Sequence, residues 1–453
     1  MKLRRIKWAN HPILGNLEID FVNPETQQPY STIIFAGENG TGKTTILETI
    51  SNFLCIGSFN PFDFIEYEVN DNVYRAVPLN NNNIDSFFKR VDVVSGAATD
   101  IRSNKNNNPN NIKQDDKDPR HYGCLLSKPR ADYKTSKITS STTQELDKNK
   151  YDDDNNDDFT SLKQLLVDIQ SEDNDHYREI NQDRSKRGLP PMSEDEFEPS
   201  SKMHRFKSAF NTFFDNIKYN KVSNSNGEKL ILFSKSGKDI SLDKLSTGEK
   251  QIVFRGAFLL KNLNQLSGSI IMVDEPELSM HPKWQVRILD YYKRLFTDDA
   301  GNQFAQLLFA THSTGVISNA LQDLDNTKVF VLRTNNNGII IPGNIKKPSV
   351  LPYTLAAEIN YQAFDIASTD YHNALYGYIE AEGWLPTFKT QYPSLENYNK
   401  LHKDGVTITP CNVSLSEKIR HIIHHPENRH NSYTSEQLKE SIERMRHFII
   451  TKP

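Results

Sequence analysis

Cysteine is scarce in this chain. Cys55, Cys124 and Cys411 are the three among 453 residues, spread along the sequence without a C-x-x-C pair. They read as reduced thiols of a cytosolic protein. Long apolar runs are missing too: no stretch of about 18 apolar residues occurs, the length a membrane-crossing helix needs. The opening Met1-Lys2-Leu3-Arg4-Arg5-Ile6 lacks the apolar centre of an export signal. Neither sign of charge dominates. Lys and Arg number 54 against 58 Asp and Glu, a net −4, so the chain does not coat nucleic acid along its whole surface. Local basic patches stay open. These absences lead us to expect a cytoplasmic protein with no membrane partner, and its length predicts two or three folded units.

What is present begins with Thr32-Ile33-Ile34-Phe35, an apolar strand that runs into Gly37-Glu38-Asn39-Gly40-Thr41-Gly42-Lys43-Thr44-Thr45 and then a helical stretch. This is G-x-x-x-x-G-K-[ST] between a strand and a helix. Glycines there let backbone N–H groups curl round a β-phosphate, and the helix N-terminus favours negative charge. Lys43 is expected at the β/γ oxygens and Thr44 on Mg²⁺, so the cofactors implied are ATP and Mg²⁺.

About two hundred residues later come Leu245-Ser246-Thr247-Gly248-Glu249-Lys250-Gln251 and Ser269-Ile270-Ile271-Met272-Val273-Asp274-Glu275-Pro276-Glu277. Together with the first loop these resemble the ABC-type ATPase superfamily, in the branch of the SMC and RecF heads. Leu245 to Gln251 match its signature, Ile270 to Glu275 its Walker B strand, Ser279 to Pro282 its D-loop, and Thr311-His312-Ser313 its switch histidine. The resemblance implies an α/β ATPase head with a mixed sheet and flanking helices. It also implies Asp274 on magnesium, Glu275 as the base that activates water, and His312 as a sensor of the γ-phosphate. Ser246, Gly248 and Glu249 would face ATP held by a second copy, making a head-to-head dimer the active form. Thr247 departs from the usual glycine, which puts turnover rate in question. No Q-loop glutamine is evident; Gln114 and Gln144 sit in polar stretches. Glu277 and His281 are open to plainer roles as a helix cap and a packing residue.

Residues 2–8 and 17–21 alternate apolar and polar, as β-strands do. Positions 100–158 are rich in Asn and Asp and are expected to form a flexible polar insertion after the first ATPase lobe, 1–99. A helical lobe follows over 159–220. It comprises a helix to about Gln182 and another over Lys202–Ile217, whose Met203, Phe206, Phe210, Phe213 and Phe214 share one face. Leu230–Phe233 is a strand between turn signals. The second lobe, 221–348, alternates strand and helix, with Ile270–Val273, Leu307–Ala310 and Val329–Leu332 as strands.

Residues 349–453 are expected to be a mainly helical partner-binding domain. Histidines gather there, with His424, His425 and His430 as possible metal ligands. Arg420 and His425 satisfy R-x4-H, the loose pattern of HEPN-type ribonucleases. Asn10-His11-Pro12-Ile13-Leu14-Gly15-Asn16-Leu17, Glu358-Ile359-Asn360-Tyr361 and Asp370-Tyr371-His372 extend the resemblance to the ATPases of Septu (PtuA) and retron-associated anti-phage modules. That resemblance implies oligomers and a separate nuclease subunit of HNH type, with nucleic-acid contact possible. The rival readings are a RecF-like DNA-repair ATPase and an ATPase with its own C-terminal ribonuclease.

Overall fold

The computed structural model describes all residues except 80–83, 131, 154–158, 299, 336, 346–349, 404 and 453. They divide into two compact units, Met1–Pro342 and Gly343–Pro453. The expected change of character at 348/349 falls at the edge of the undescribed stretch 346–349.

In the first unit the alternating N-terminal segments form β1 (Lys2–Trp8) and β2 (Glu18–Asp20). The apolar run becomes β3 (Thr32–Gly37), buried throughout, and feeds α1 (Lys43–Leu54). Next come β4 (Phe62–Val69), β5 (Asn72–Pro78), β6 (Phe88–Asp92) and β7 (Ala98–Ile101). These build an antiparallel sheet of order β2-β1-β4-β5-β6-β7. The apolar stripe Ile46, Leu47, Ile50, Phe53 and Leu54 of α1 follows helical spacing. It shares one core with Leu3, Ile6, Trp8, Phe62 and Ile65 of that sheet and with Ile33, Phe35, Leu126, Met272 and Leu308 of a second sheet. The phosphate-loop helix is therefore the filling between two sheets.

The segment expected as a flexible insertion supplies β8 (Cys124–Ser127) and β9 (Tyr151–Asp153) to that second sheet. This corrects the reading of 100–158 for its described part; the tract 154–158 lies outside it. Polar contacts do the ordering. Arg120, fully buried, donates two hydrogen bonds to Asp118 (2.9 and 2.7 Å) and others to the carbonyls of Ser86 (3.2 Å) and Ser103 (3.0 Å). A polar composition signals disorder only when such groups stay unpaired.

α2 (Phe159–Lys186) and α3 (His204–Phe213) follow. The aromatic stripe is core, with Met203, Phe206, Phe210, Phe213 and Phe214 all buried. The second helix stops short of Ile217, because that residue starts β10 (Ile217–Ser225), which pairs with β11 (Glu228–Lys235) and, through it, β12 (Lys238–Ser241). The lobe is thus two long helices with a small antiparallel sheet. α4 (Thr247–Leu260), β13 (Ile270–Asp274), α5 (Ile288–Leu295), β14 (Gln306–Thr311), α6 (Thr314–Ala320), β15 (Thr327–Thr334) and β16 (Ile340–Asn344) complete the core.

The second sheet has the order β16-β15-β3-β14-β13-β8-β9, and β15 through β9 run parallel. Its central strands are near-continuous apolar runs because both faces are covered. Register aligns their ends: Leu332 lies beside Gly37, Ala36 beside Thr311, Ala310 beside Asp274 and Val273 beside Ser127. The loops after these strands open at one edge, the ligand-binding edge of open parallel sheets. This is an α/β architecture, a mixed sheet with flanking helices.

The second unit contains α7 (Ala356–Phe364), α8 (Thr369–Ala381), α9 (Leu385–Gln391), the hairpin β17 (Leu395–Leu401) and β18 (Ile408–Ser414), α10 (Leu415–His424) and α11 (Ser435–Thr451). Tyr371, Leu375, Ile379, Ile419, Ile442 and Phe448 form its core. Among the described residues no helix is long and apolar enough to cross a membrane.

Candidate functional site

Gly42 enters α1 with φ +81°, a left-handed value that glycine adopts without strain. A Cβ there would lie 2.5 Å from Leu14 Cδ2. No side chain caps α1, so its first amides face the loop, the arrangement that receives an anion. Lys43 is buried, and its ammonium donates to the carbonyls of Gly37 (2.9 Å) and Glu38 (2.7 Å). Burial pulls it down to about 8, against Asp274, Glu275, Glu277 and Glu38, so it stays charged at neutral pH. Thr41 braces the loop by donating to the Glu38 carbonyl (2.8 Å). Glu38, Asn39, Gly40 and Thr44 are exposed, and Thr45 is half-buried.

Thr44 joins the loop to the acidic strand end, its hydroxyl donating to Asp274 Oδ2 at 2.7 Å. Burial raises the Asp274 pKa and the neighbouring Glu275 adds to this, while the Thr44 hydroxyl opposes it. A hydroxyl and a desolvated carboxylate in contact are the hard oxygen donors that suit Mg²⁺. One residue on, Glu275 turns with φ +45°, outside the range most side chains adopt, at a cost of order 1–3 kcal/mol. Its carboxylate lies 3.7 Å from His312 Nε2, both about a third exposed. Burial first, then the Lys43 charge, lower the His312 pKa, so the ring is neutral at pH 7. The expected Lys43, Thr44, Asp274, Glu275 and His312 are therefore brought together.

Three residues that sequence reasoning missed, or left with plainer roles, hold this corner. Glu277, buried, accepts from the Thr311 hydroxyl (2.7 Å) and the His312 amide (2.8 Å), so it anchors the loop that carries His312. Arg255, on α4 and 2% exposed, donates to the carbonyls of Asp274 (2.8 Å) and Glu275 (3.1 Å). A single arginine within the run Ile252-Val253-Phe254 … Ala257-Phe258 was the available signal. Gln251 adds a bond to the Pro276 carbonyl (3.1 Å). His281 caps the helix Pro282–Gln285, its ring Nδ1 accepting from the Lys283 amide (3.2 Å).

Ser246 and Glu249 form a reciprocal capping box at the start of α4, and Glu249 also accepts from Lys235 (2.6 Å). Glu249 is thus committed within its own chain, whereas Ser246 and Thr247 are exposed. Gly248 packs so closely that an added Cβ would lie 2.6 Å from the Ser279 carbonyl. On the other side of β13, β8 ends at Ser127 beside Val273, and no glutamine stands there.

A family profile described as "AAA domain, putative AbiEii toxin, Type IV TA system" matches residues 33–318, from β3 through α6. The chain belongs to this AAA-domain family. The AAA-domain protein is a P-loop ATPase-class chain. It is similar to the "Retron Vc95 probable ATPase" of Vibrio cholerae serotype O1 biovar El Tor, 28% identical over 121 residues. That stretch is 25% of this chain and spans 22% of the relative's length. Among solved structures, the SMC head domain from Thermotoga maritima aligns over 76% of this chain and 100% of its own, at 14% identity and a TM-score of 0.36. The structure of cbiO1 from Clostridium perfringens, part of the ABC transporter complex cbiONQ, aligns over 76% and 87%, at 12% identity and a TM-score of 0.33. The fold of the AAA-domain protein rests on its strand order and loop positions, not on these scores.

In the second unit the R-x4-H residues are not brought together. Arg420 donates to Glu380 (3.1 Å) and lies over the Tyr376 ring, whereas His425 meets Glu427 (3.1 Å) and the His421 ring. Five positions along a helix point two side chains to different faces. Nor do the histidines gather into a metal centre: among the described residues no group of three or more His, Cys, Asp or Glu is placed to hold an ion.

Proposed function

We propose that the chain binds ATP with Mg²⁺ on the Gly37–Thr45 loop and hydrolyses it, Glu275 orienting the water and His312 donating to the γ-phosphate. The contact between Thr44 and Asp274, with Lys43, Glu275 and His312 around it, carries this reading. Thr44 and Asp274 would hold the metal. Mg²⁺ supplies positive charge to the phosphoryl oxygens when bound. Lys43 adds charge at the β/γ oxygens, and Arg255 and Glu277 keep the acid and the switch histidine in place. The exposed Ser246–Thr247 end of α4 suits contact with the nucleotide of a second copy, so we place hydrolysis in a head-to-head dimer.

In the cell this ATPase regulates a separate nuclease of an anti-phage module of the Septu or retron kind, with the second unit as the docking element. Supporting this are the partial similarity to a retron ATPase and a C-terminal unit whose R-x4-H residues lie apart. The test is Glu275→Gln in the full chain. ATP should bind with wild-type affinity and remain unhydrolysed, because an amide does not take the water's proton. Co-expression with the adjacent gene product should yield a complex of defined mass. Unchanged single-turnover hydrolysis would remove Glu275 from its role, and a chain that purifies alone would remove the partner.

A further inference from the structure

The three cysteines are distant in sequence, yet two of them meet. Cys55 caps the C-terminal end of α1 and Cys124 opens β8, 69 positions later; their sulfurs are 2.9 Å apart. Ser51 sits between them, its hydroxyl 4.0 and 3.9 Å from the two sulfurs, and Cys124 Sγ lies 3.6 Å from the Ser51 carbonyl. Cys124 is fully buried, whereas Cys55 is half-buried at the edge of the core. A disulfide needs about 2.05 Å, so closure asks for a movement of roughly 0.9 Å.

We propose that Cys55 and Cys124 are an oxidation site, a thiol pair that a hydroperoxide closes into a disulfide clamping α1 to β8. The Cys55 thiolate attacks one peroxide oxygen. The O–O bond breaks, sulfur is oxidised to a sulfenic acid, and the departing hydroxide takes up a proton as water. Cys124, on losing its proton, attacks the Cys55 sulfur. The S–S bond forms, the S–O bond breaks, and the leaving hydroxide is protonated to a second water. Two thiols and one hydrogen peroxide thus become one disulfide and two waters. Accessibility assigns the order, with the half-buried thiol attacking and the buried one resolving.

The clamp joins two parts of the nucleotide site. α1 carries the phosphate loop at its other end, and β8 lies beside β13, which ends in Asp274. Drawing the far end of α1 toward β8 shifts the loop amides with the helix. The oxidation site goes beyond the ATP reading and does not depend on it; only the effect on affinity does.

The experiment treats the reduced full-length chain with hydrogen peroxide, blocks remaining thiols, and maps peptides by mass spectrometry. A Cys55–Cys124 crosslink lacking two hydrogens, reversed by dithiothreitol and absent in Cys55→Ser, is expected. Cys124→Ser or Cys124→Ala should instead accumulate a dimedone adduct on Cys55, because the resolving thiol is gone. Cys411 is the internal comparator and should react more slowly. The crosslinked chain should lose ATP affinity and regain it on reduction. Sulfenic acid on Cys55 without crosslinking, or a crosslink seen only in denaturant, would overturn the proposal, and unchanged affinity in the crosslinked chain would overturn the clamp's effect on the nucleotide site. A reduced chain that never binds ATP yet forms the crosslink would count against the ATP reading alone.

Discussion

Removing the Glu277 carboxylate tests whether the loop that carries His312 is held from beneath. In Glu277→Ala the Thr311 hydroxyl and the His312 amide lose their shared acceptor, Oε1, at 2.7 and 2.8 Å. A buried donor left unsatisfied costs about 1–3 kcal/mol. The Thr311 hydroxyl can rotate toward another acceptor, and the second carboxylate oxygen, Oε2, is buried with no hydrogen-bond partner among the described residues, so its loss returns part of the cost. We therefore expect a loss of roughly 2–4 kcal/mol. Hydrolysis should suffer more than binding, since Lys43 and the loop amides are untouched while His312 loses its tether. A misplacement of about 1 Å costs on the order of a hundredfold in rate. Glu277→Gln provides the contrast. It keeps an acceptor oxygen and is isosteric with the protonated acid, the form that burial favours. Its stability should stay within about 1 kcal/mol of wild type. The assays are denaturant unfolding and single-turnover ATP hydrolysis with ATP affinity measured in parallel. If Ala and Gln variants hydrolyse equally well, Glu277 does not position His312.

Other expectations follow from the same geometry. Lys43→Ala should lose detectable ATP binding, measured by calorimetry, because it removes the buried ammonium that donates to the Gly37 and Glu38 carbonyls of the loop. Arg255→Met should cost about 1–3 kcal/mol for each carbonyl it abandons and raise the Mg²⁺ needed for half-maximal hydrolysis. The arginine charge helps keep Asp274 ionised, so a Mg²⁺ titration identical to wild type would contradict its role. In the second unit, burial lowers the pKa of His372 from 6.5 to about 4. The folded state then binds fewer protons than the unfolded one between those values, and stability falls as pH drops through that window. The loss is about 3 kcal/mol, complete below roughly pH 4. Hydrogen exchange in α8 should accelerate across that range, and His372→Gln should flatten the slope.

Much of the nucleotide site was legible in the residues themselves. Gly42 and Lys43 announce it because a phosphate loop makes demands on single positions: a left-handed backbone, a cation, a hydroxyl at the helix start. Asp274 and Glu275 follow an apolar strand at fixed distance for the same reason. The described part of 100–158 was misread because Arg120 and Asp118 order it by a buried polar pair, which composition does not reveal. The four-residue strand Cys124–Ser127 is too short to stand out by periodicity.

By itself the sequence determined the α/β class, the loop, the acid pair and the place of His312 after its strand, since local chemistry constrains each within a few residues. Tertiary structure decided that Glu277 and Arg255 support the site, and that Arg420 and His425 part across a helix. It also decided that Cys55 and Cys124, 69 positions apart, touch. Those outcomes depend on which strand lies beside which, and pairing between distant segments is set by burial of the whole core rather than by any motif.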